Sequence, residues 1–93
     1  MDQREIEQIL INVVCELQAL SGRSPVPVSG STRPVLDVPG FDSLNGVEAT
    51  VEAIDRFQHE LEFNNVFVEN DKALSIQQAA NRLLNCLKVK SRS

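Results

Sequence analysis

Three stretches of helical hydrophobic periodicity constrain the fold of this 93-residue chain more than any other feature. In the first stretch, apolar residues recur every three or four positions, which is the spacing of one face of a helix. They are Ile6, Leu10, Val13, Leu17 and Leu20, with Ile9 and Val14 widening the stripe. Asp2 and Glu5 have capping-box spacing at its start, and Gly22 fits a helix end. This pattern predicts a long amphipathic helix.

Two further amphipathic helices are predicted, one beginning at Asp42 or Ser43 and the other at Ser75. Ser75 and Gln78 have capping-box spacing. In the second helix, the face expected to be buried consists of Leu44, Val47, Val51, Ile54 and Phe57 or Leu61. In the last helix, it consists of Ile76, Ala79, Ala80, Leu83 and Leu87.

The two connections between these helices differ in composition. Residues 22–41 contain Pro25, Pro27 and Pro34, which remove the amide donors that a helix needs, so we expect a long loop there. Its valines and Leu36 are too apolar for a free linker, and we expect some of them to pack on the core. Residues 62–73 are expected to form a short turn of helix or an irregular segment.

A chain of this length holds one domain, because neither half could bury a working core alone. The helices and connections predict an all-α domain, a small antiparallel four-helix bundle of three main helices plus one short or irregular element. We assign the domain to residues 1–88 and a flexible basic tail to residues 89–93.

Composition excludes several classes of function. The 13 acidic and 9 basic residues give a net charge of −4, which argues against nucleic-acid binding and suits docking to basic partner surfaces. No stretch is long and apolar enough to span a membrane, and the N-terminus lacks a signal-peptide pattern. We expect a cytoplasmic monomer.

The two cysteines offer no catalytic or metal-binding pattern. Cys15 and Cys86 fit neither a zinc site nor a CxxC redox motif, and we expect two reduced, part-buried thiols. A disulfide between the first and last helices stays open at this point.

The most informative residues stand where the proline-rich segment turns into the second helix. Gly40-Phe41-Asp42-Ser43-Leu44 offers a flexible glycine, an aspartate suited to capping the helix, and a serine at the first helical position. The Ser43 hydroxyl can therefore point outward, at a helix end that favours a phosphate ester. These features describe a serine displayed for modification.

Residues 40–44 resemble the Gly-x-Asp-Ser-Leu motif of acyl carrier proteins and of the related peptidyl carrier domains. Residues 34–37, Pro-Val-Leu-Asp, are similar to the apolar loop that precedes this motif in the family. Residues 54–57 fall where the family's second helix carries an acid and a closing Phe, and residues 73–80 resemble the start of its last helix. The resemblance covers nearly the whole chain.

The resemblance implies a carrier and not an enzyme. Ser43 would receive 4′-phosphopantetheine from coenzyme A through a phosphopantetheinyl transferase, with Asp42 and Leu44 completing the attachment motif. Acyl intermediates would travel as thioesters on this arm, between an acyl-loading ligase or transferase and acyl-processing enzymes. We expect a specialised lipid, fatty-acid or polyketide-type pathway, and no catalytic residue or metal.

The resemblance also implies a docking surface on the second helix. Glu48, Glu52 and Asp55 correspond to acids that the family presents to basic patches on its enzymes, with Leu44 and Val47 near the attachment point. The acid density is lower than in typical fatty-acid carriers, and Gly46 is unusual in a helix interior, where glycine costs about 1 kcal/mol relative to alanine.

Two alternatives remain at the level of sequence. The chain could be a peptidyl or aminoacyl carrier whose Ser43 arm is loaded by an adenylating ligase. It could also be an unmodified helical adaptor in which Asp42 and Ser43 only begin a helix.

Overall fold

The computed structural model describes residues 2–23, 26–57 and 65–91, with side chains up to Cys86. In this part of the chain, four helices and one two-stranded hairpin follow one another. They are α1 (Gln3–Leu20), α2 (Pro34–Asp37), α3 (Ser43–Phe57), β1 (Val68–Glu69), β2 (Lys72–Ala73) and α4 (Ile76–Ser91). Helix α1 packs against both α3 and α4.

Helix α1 forms as predicted and supplies much of the core. Asp2 caps it, because its Oδ1 accepts a hydrogen bond of 2.9 Å from the Glu5 amide. The fully buried residues of this helix are Ile6, Leu10, Val13 and Val14. Leu17 is half-buried, but the expectation that Leu20 is buried was wrong, since it is 83% exposed.

Gln18 takes the inward position at the end of α1 instead of Leu20. It is buried, and its side-chain amide donates a 3.1 Å hydrogen bond to the carbonyl of Pro39. Its carbonyl oxygen accepts a 2.9 Å bond from the Arg23 guanidinium. Loop backbone meets this end of the helix, and the Pro39 carbonyl accepts from a side-chain donor that leucine lacks.

The predicted loop over residues 22–41 contains the short helix α2, a difference from the expectation. Pro34 occupies the first turn of α2, where its missing amide costs nothing. As predicted, apolar loop residues pack on the core: Val38 is buried, and Val26, Val28 and Val35 lie against the buried cluster. Leu36 does not pack on the core, since it is 66% exposed.

The start of α4 holds this loop in place. Ser75 and Gln78 form the predicted capping box, with reciprocal hydrogen bonds of 2.9 and 3.2 Å. The amides of Ile76 and Gln77 donate to the carbonyls of Thr32 and Gly30, so first-turn donors without helical partners bind the loop.

The predicted inward face of α4 is confirmed as far as its side chains are described. Ile76, Ala79, Ala80 and Leu83 are fully buried, and the side chain of Leu87 lies outside the described residues. The backbone of α4 continues to Ser91, so the predicted boundary at residue 88 falls inside this helix.

A β-hairpin stands where the sequence predicts a short helical turn or an irregular segment. Val68 pairs with Ala73 and Glu69 with Lys72 in an antiparallel register. The two loop residues, Asn70 and Asp71, both have positive φ, which tight two-residue hairpins require and which Asn and Asp tolerate. The chain is therefore mainly helical, as predicted, but not all-α.

Thr50 ties the segment before this hairpin to α3. Its hydroxyl donates 2.7 Å to the carbonyl of Gly46 and accepts 2.9 Å from the amide of Val66. Thr50 and Val66 are both fully buried. This hydroxyl therefore satisfies an amide that would otherwise be buried without a partner.

Both cysteines are free, so the structure contains no disulfide between Cys15 and Cys86. Cys86 is half-buried, as expected. Cys15 is exposed, because it lies on the side of α1 away from the buried stripe, and the expectation that it is part-buried was wrong. No helix within the described ranges has the length and apolar character needed to cross a membrane.

Replacing Thr50 by Val tests the hydrogen bonds that the Thr50 hydroxyl makes with Val66 and Gly46. The substitution keeps the shape of the side chain and removes only the hydroxyl. We expect Thr50→Val to lower the free energy of unfolding by about 1–3 kcal/mol, the cost of a buried unsatisfied amide. Urea denaturation measures the change. The control is Val51→Thr at the exposed neighbouring position, expected to change stability by less than about 0.5 kcal/mol. Equal effects of the two variants would contradict this role of Thr50.

Candidate functional site

Asp42 caps α3, as predicted, and Ser43 is its first residue. The Oδ1 of Asp42 accepts a 3.0 Å hydrogen bond from the amide of Asn45, and the Asp42 amide donates 3.2 Å to the side chain of Asn45. The carboxylate therefore performs the capping that a serine hydroxyl often performs. Ser43 is exposed. Its hydroxyl is not needed to begin the helix.

Ser75 provides an internal comparison for Ser43. Ser75 also stands at a helix start, but its Oγ accepts a hydrogen bond from the amide of Gln78, and the residue is only 9% exposed. The two serines thus have different local roles. The hydroxyl of Ser75 is committed to its own helix, whereas Asp42 takes that role beside Ser43.

The residues before Asp42 fix where α3 begins. Gly40 has a φ of 75°, and a Cβ there would lie 2.7 Å from the Arg23 side chain, so both conformation and space favour glycine. Phe41 is 2% exposed and packs edge-to-face on Phe67, with ring centroids 6.1 Å apart. The buried ring anchors the chain directly before the exposed Asp42 and Ser43.

Asn65 lies against the first turns of α3. Its amide nitrogen donates 2.9 Å to the carbonyl of Ser43, and its oxygen accepts 3.0 Å from the amide of Phe67. A Cβ on Gly46 would lie only 2.6 Å from the Asn65 Oδ1, so the missing side chain makes room for this contact. The role of Gly46, which the sequence left open, is therefore close packing.

The inward face of α3 differs from the predicted one. Phe57 is buried as predicted, but the other buried residues are Gly46, Ala49, Thr50 and Ala53. Leu44 and Val51 are 65% and 61% exposed, so their predicted burial was wrong, and Leu61 lies outside the described residues. Because Asn65 packs against Gly46 and Val66 bonds Thr50, this side of the helix faces inward, and the side with Leu44 and Val51 faces outward.

The outward side of α3 carries both apolar and acidic groups. Leu44, Val51 and the half-buried Val47 share this surface with Ser43. Val47 and Val51 follow Ser43 by four and eight residues, which places them on the same side of the helix. Glu48, Glu52 and Asp55 are all exposed. The structure thus exposes four residues of the predicted docking surface on one helix and half-buries the fifth, Val47.

One of these acids also has an internal partner. Arg56 bonds Glu52 at 3.3 Å on its own helix and forms an ion pair with Glu16 of α1. The hydrogen bond that the guanidinium donates to Glu16 raises the pKa of Arg56 above its ordinary value. Arg56 therefore links α3 to α1 and offsets part of the charge of Glu52.

A surface groove of about 640 Å³ opens beside Ser43, within the size range of small-molecule sites. Ser43 forms part of its wall, together with the loop before α2, helix α2 itself and the hairpin. Its charged wall residues are Arg33, Asp71 and Lys72. Its apolar wall residues are Val35, Leu36, Val68, Ala73 and Leu74.

Sequence reasoning missed this groove and the Asn65 contact. The glycine at position 46 of a predicted helix was a signal of close packing, and Asn70-Asp71 between short apolar segments was a signal of a hairpin. Nothing in the sequence placed Arg33 and Lys72 in the wall of the same groove, because they are far apart in the chain. No cluster suited to a metal ion occurs within the described part of the chain.

Comparison with known proteins returned no match to a family model, a curated protein or a solved structure.

The fit between Gly46 and Asn65 gives a double-mutant test. Gly46→Ala should lower stability by about 1–3 kcal/mol, because the new methyl group displaces Asn65. In an Asn65→Ala background, the same change should instead add about 1 kcal/mol through better helix propensity. Urea denaturation of the four proteins measures the coupling. A Gly46→Ala effect of the same sign and size in both backgrounds would contradict the proposed contact.

Proposed function

We propose that this chain is an acyl carrier protein that bears 4′-phosphopantetheine on Ser43. One observation carries the proposal: an exposed serine begins α3 while the preceding Asp42 makes the cap. A helix cap alone, as Asp2 and Ser75 provide in this chain, does not require an exposed serine after it. The motif resemblance over residues 40–44 supplies the identity of the group.

The local structure suits attachment at Ser43. The hydroxyl stands at the N-terminal end of a 15-residue helix, where unpaired amides and the helix dipole favour a phosphodiester. The groove at Ser43 has Arg33 and Lys72 in its wall, two cations that suit the same charge. The helix end and the two cations therefore suit the phosphodiester of a phosphopantetheine attached to Ser43.

The attachment reaction needs an exposed nucleophile and a partner enzyme. The Ser43 Oγ attacks the β-phosphorus of coenzyme A and gives up its proton to a base on the transferase. The new bond is a phosphodiester to Ser43, and the pyrophosphate bond breaks with release of adenosine 3′,5′-bisphosphate. When bound, the group supplies a terminal thiol that forms thioesters with acyl groups.

The exposed side of α3 is the proposed contact for partner enzymes. Leu44, Val47 and Val51 offer apolar area next to Ser43, and Glu48 and Asp55 offer negative charge. Such charges steer the encounter with a basic partner, while the apolar residues contribute to the docked complex. We assign Glu52 a smaller part, because it is bonded to Arg56.

Intact-protein mass after incubation with coenzyme A and a promiscuous phosphopantetheinyl transferase tests the attachment. We expect the wild-type chain to gain one phosphopantetheine and Ser43→Ala to gain none. Ser31→Ala, a change of another exposed serine, is the matched control and should be modified like wild type. An unmodified wild-type chain would favour the adaptor. Mass spectrometry of the protein purified from native cells then distinguishes an acyl carrier from an aminoacyl carrier by the group bound to the arm.

The rate of this modification also tests the docking surface. Glu48→Gln and Asp55→Asn should each lower kcat/KM about two- to fivefold at low ionic strength, the range expected for exposed ion pairs. The loss should shrink as added salt screens the charges. Glu5→Gln, which removes an exposed acid of α1, is the control and should leave the rate unchanged. A loss equal to that of the control would count against docking through these acids.

A further inference from the structure

The groove beside Ser43 has walls from four separate parts of the chain. Ser43 begins α3, Arg33 immediately precedes α2, and Leu36 lies within α2. Lys72 and Leu74 belong to the hairpin region, and Gln78 lies in the first turn of α4. These parts are held together by defined contacts. Asn65 bonds the Ser43 carbonyl, and the Leu74 amide donates 2.8 Å to the Phe67 carbonyl, so the hairpin side of the groove is fixed relative to Ser43.

The charges of the groove suit a singly charged anion with an uncharged extension. Arg33 and Lys72 supply two positive charges, and Asp71 supplies one negative charge. The remaining side chains of the hairpin and α2 in the wall are largely apolar, with Gln78 as a further polar group. A phosphodiester followed by a chain of methyl, methylene and amide groups combines the same two kinds of chemistry, an anion and an uncharged extension.

The core of the domain is already filled by protein. Phe41, Val66, Phe67 and Ile76 are between 0 and 2% exposed, and the rings of Phe41 and Phe67 are in edge-to-face contact. Displacing close-packed side chains costs more than entering an open groove, since a core has little spare volume. An arm on Ser43 therefore meets less resistance in the groove than in the interior.

We propose that this groove is the resting site of the phosphopantetheine arm, with Arg33 and Lys72 contacting the phosphodiester and the hairpin covering the uncharged part. The inference rests on the proposed modification of Ser43. Attachment at the wall of the groove gives the arm an effective concentration in the millimolar range, so weak contacts are enough to hold it. The arm leaves the groove when a partner docks on α3 and draws it away.

Amide chemical shifts of the apo and modified proteins test this site without any measurement of activity. Attachment of phosphopantetheine should shift the amides of Val35, Leu36 and residues 71–74, besides those next to Ser43. In Arg33→Gln/Lys72→Gln, the shift changes at residues 71–74 should fall about two- to fivefold, the range for exposed ion pairs. Arg4→Gln, which removes an exposed cation of α1, is the control and should keep the full changes.

The possible results separate this inference from the function on which it rests. Complete modification with shift changes only at residues 42–45 would overturn the resting site and leave the carrier function standing. Equal changes in the double variant and the Arg4 control would overturn the role of the two cations. If mass spectrometry finds no modification of Ser43, both the function and the resting site fall. The spectra of the unmodified variants show separately whether each one is folded.

Discussion

The missing side chain of Gly46 is the constraint on which the site region depends. It lets Asn65 bond the carbonyl of Ser43, and one turn later Thr50 bonds the amide of Val66. These contacts hold the segment before the hairpin against the first half of α3. They set the rotation of α3, and with it which residues face the core. They also fix one wall of the groove beside Ser43.

Ser43 is exposed, and Asp42 rather than Ser43 caps the helix that begins there. Asp42 caps α3 with its carboxylate, while Ser75 and Gln78 cap α4 with reciprocal hydrogen bonds. The buried Phe41 anchors the chain immediately before the cap. The proposed attachment therefore uses a hydroxyl that does not cap the helix. Phe41 and Asn65 hold the backbone on either side of it. A carrier needs this combination, because its partners must find the same serine in the same place.

The proposed function assigns the two sides of Ser43 different tasks. In this proposal, the outward side of α3, with Leu44, Val51 and the acids, would meet partners, and the arm would rest in the groove toward the hairpin. Arg56 supports this arrangement by linking α3 to α1 through Glu16. The carrier itself then contributes position, charge and shelter, while partner enzymes contribute the chemistry.

The sequence by itself determined the three long helices, their caps through Asp2, Asp42 and Ser75, and the position of Ser43 at a helix start. These features are local, because periodicity and capping depend on residues a few positions apart. Only the tertiary structure decided that Gly46 and Ala49 face inward while Leu44 and Val51 face outward, and that Arg33 and Lys72 line one groove. Hydrophobicity alone assigns the larger side chains to the core, but the contacts of Asn65 and Val66 with α3, distant in sequence, determine the rotation of the helix.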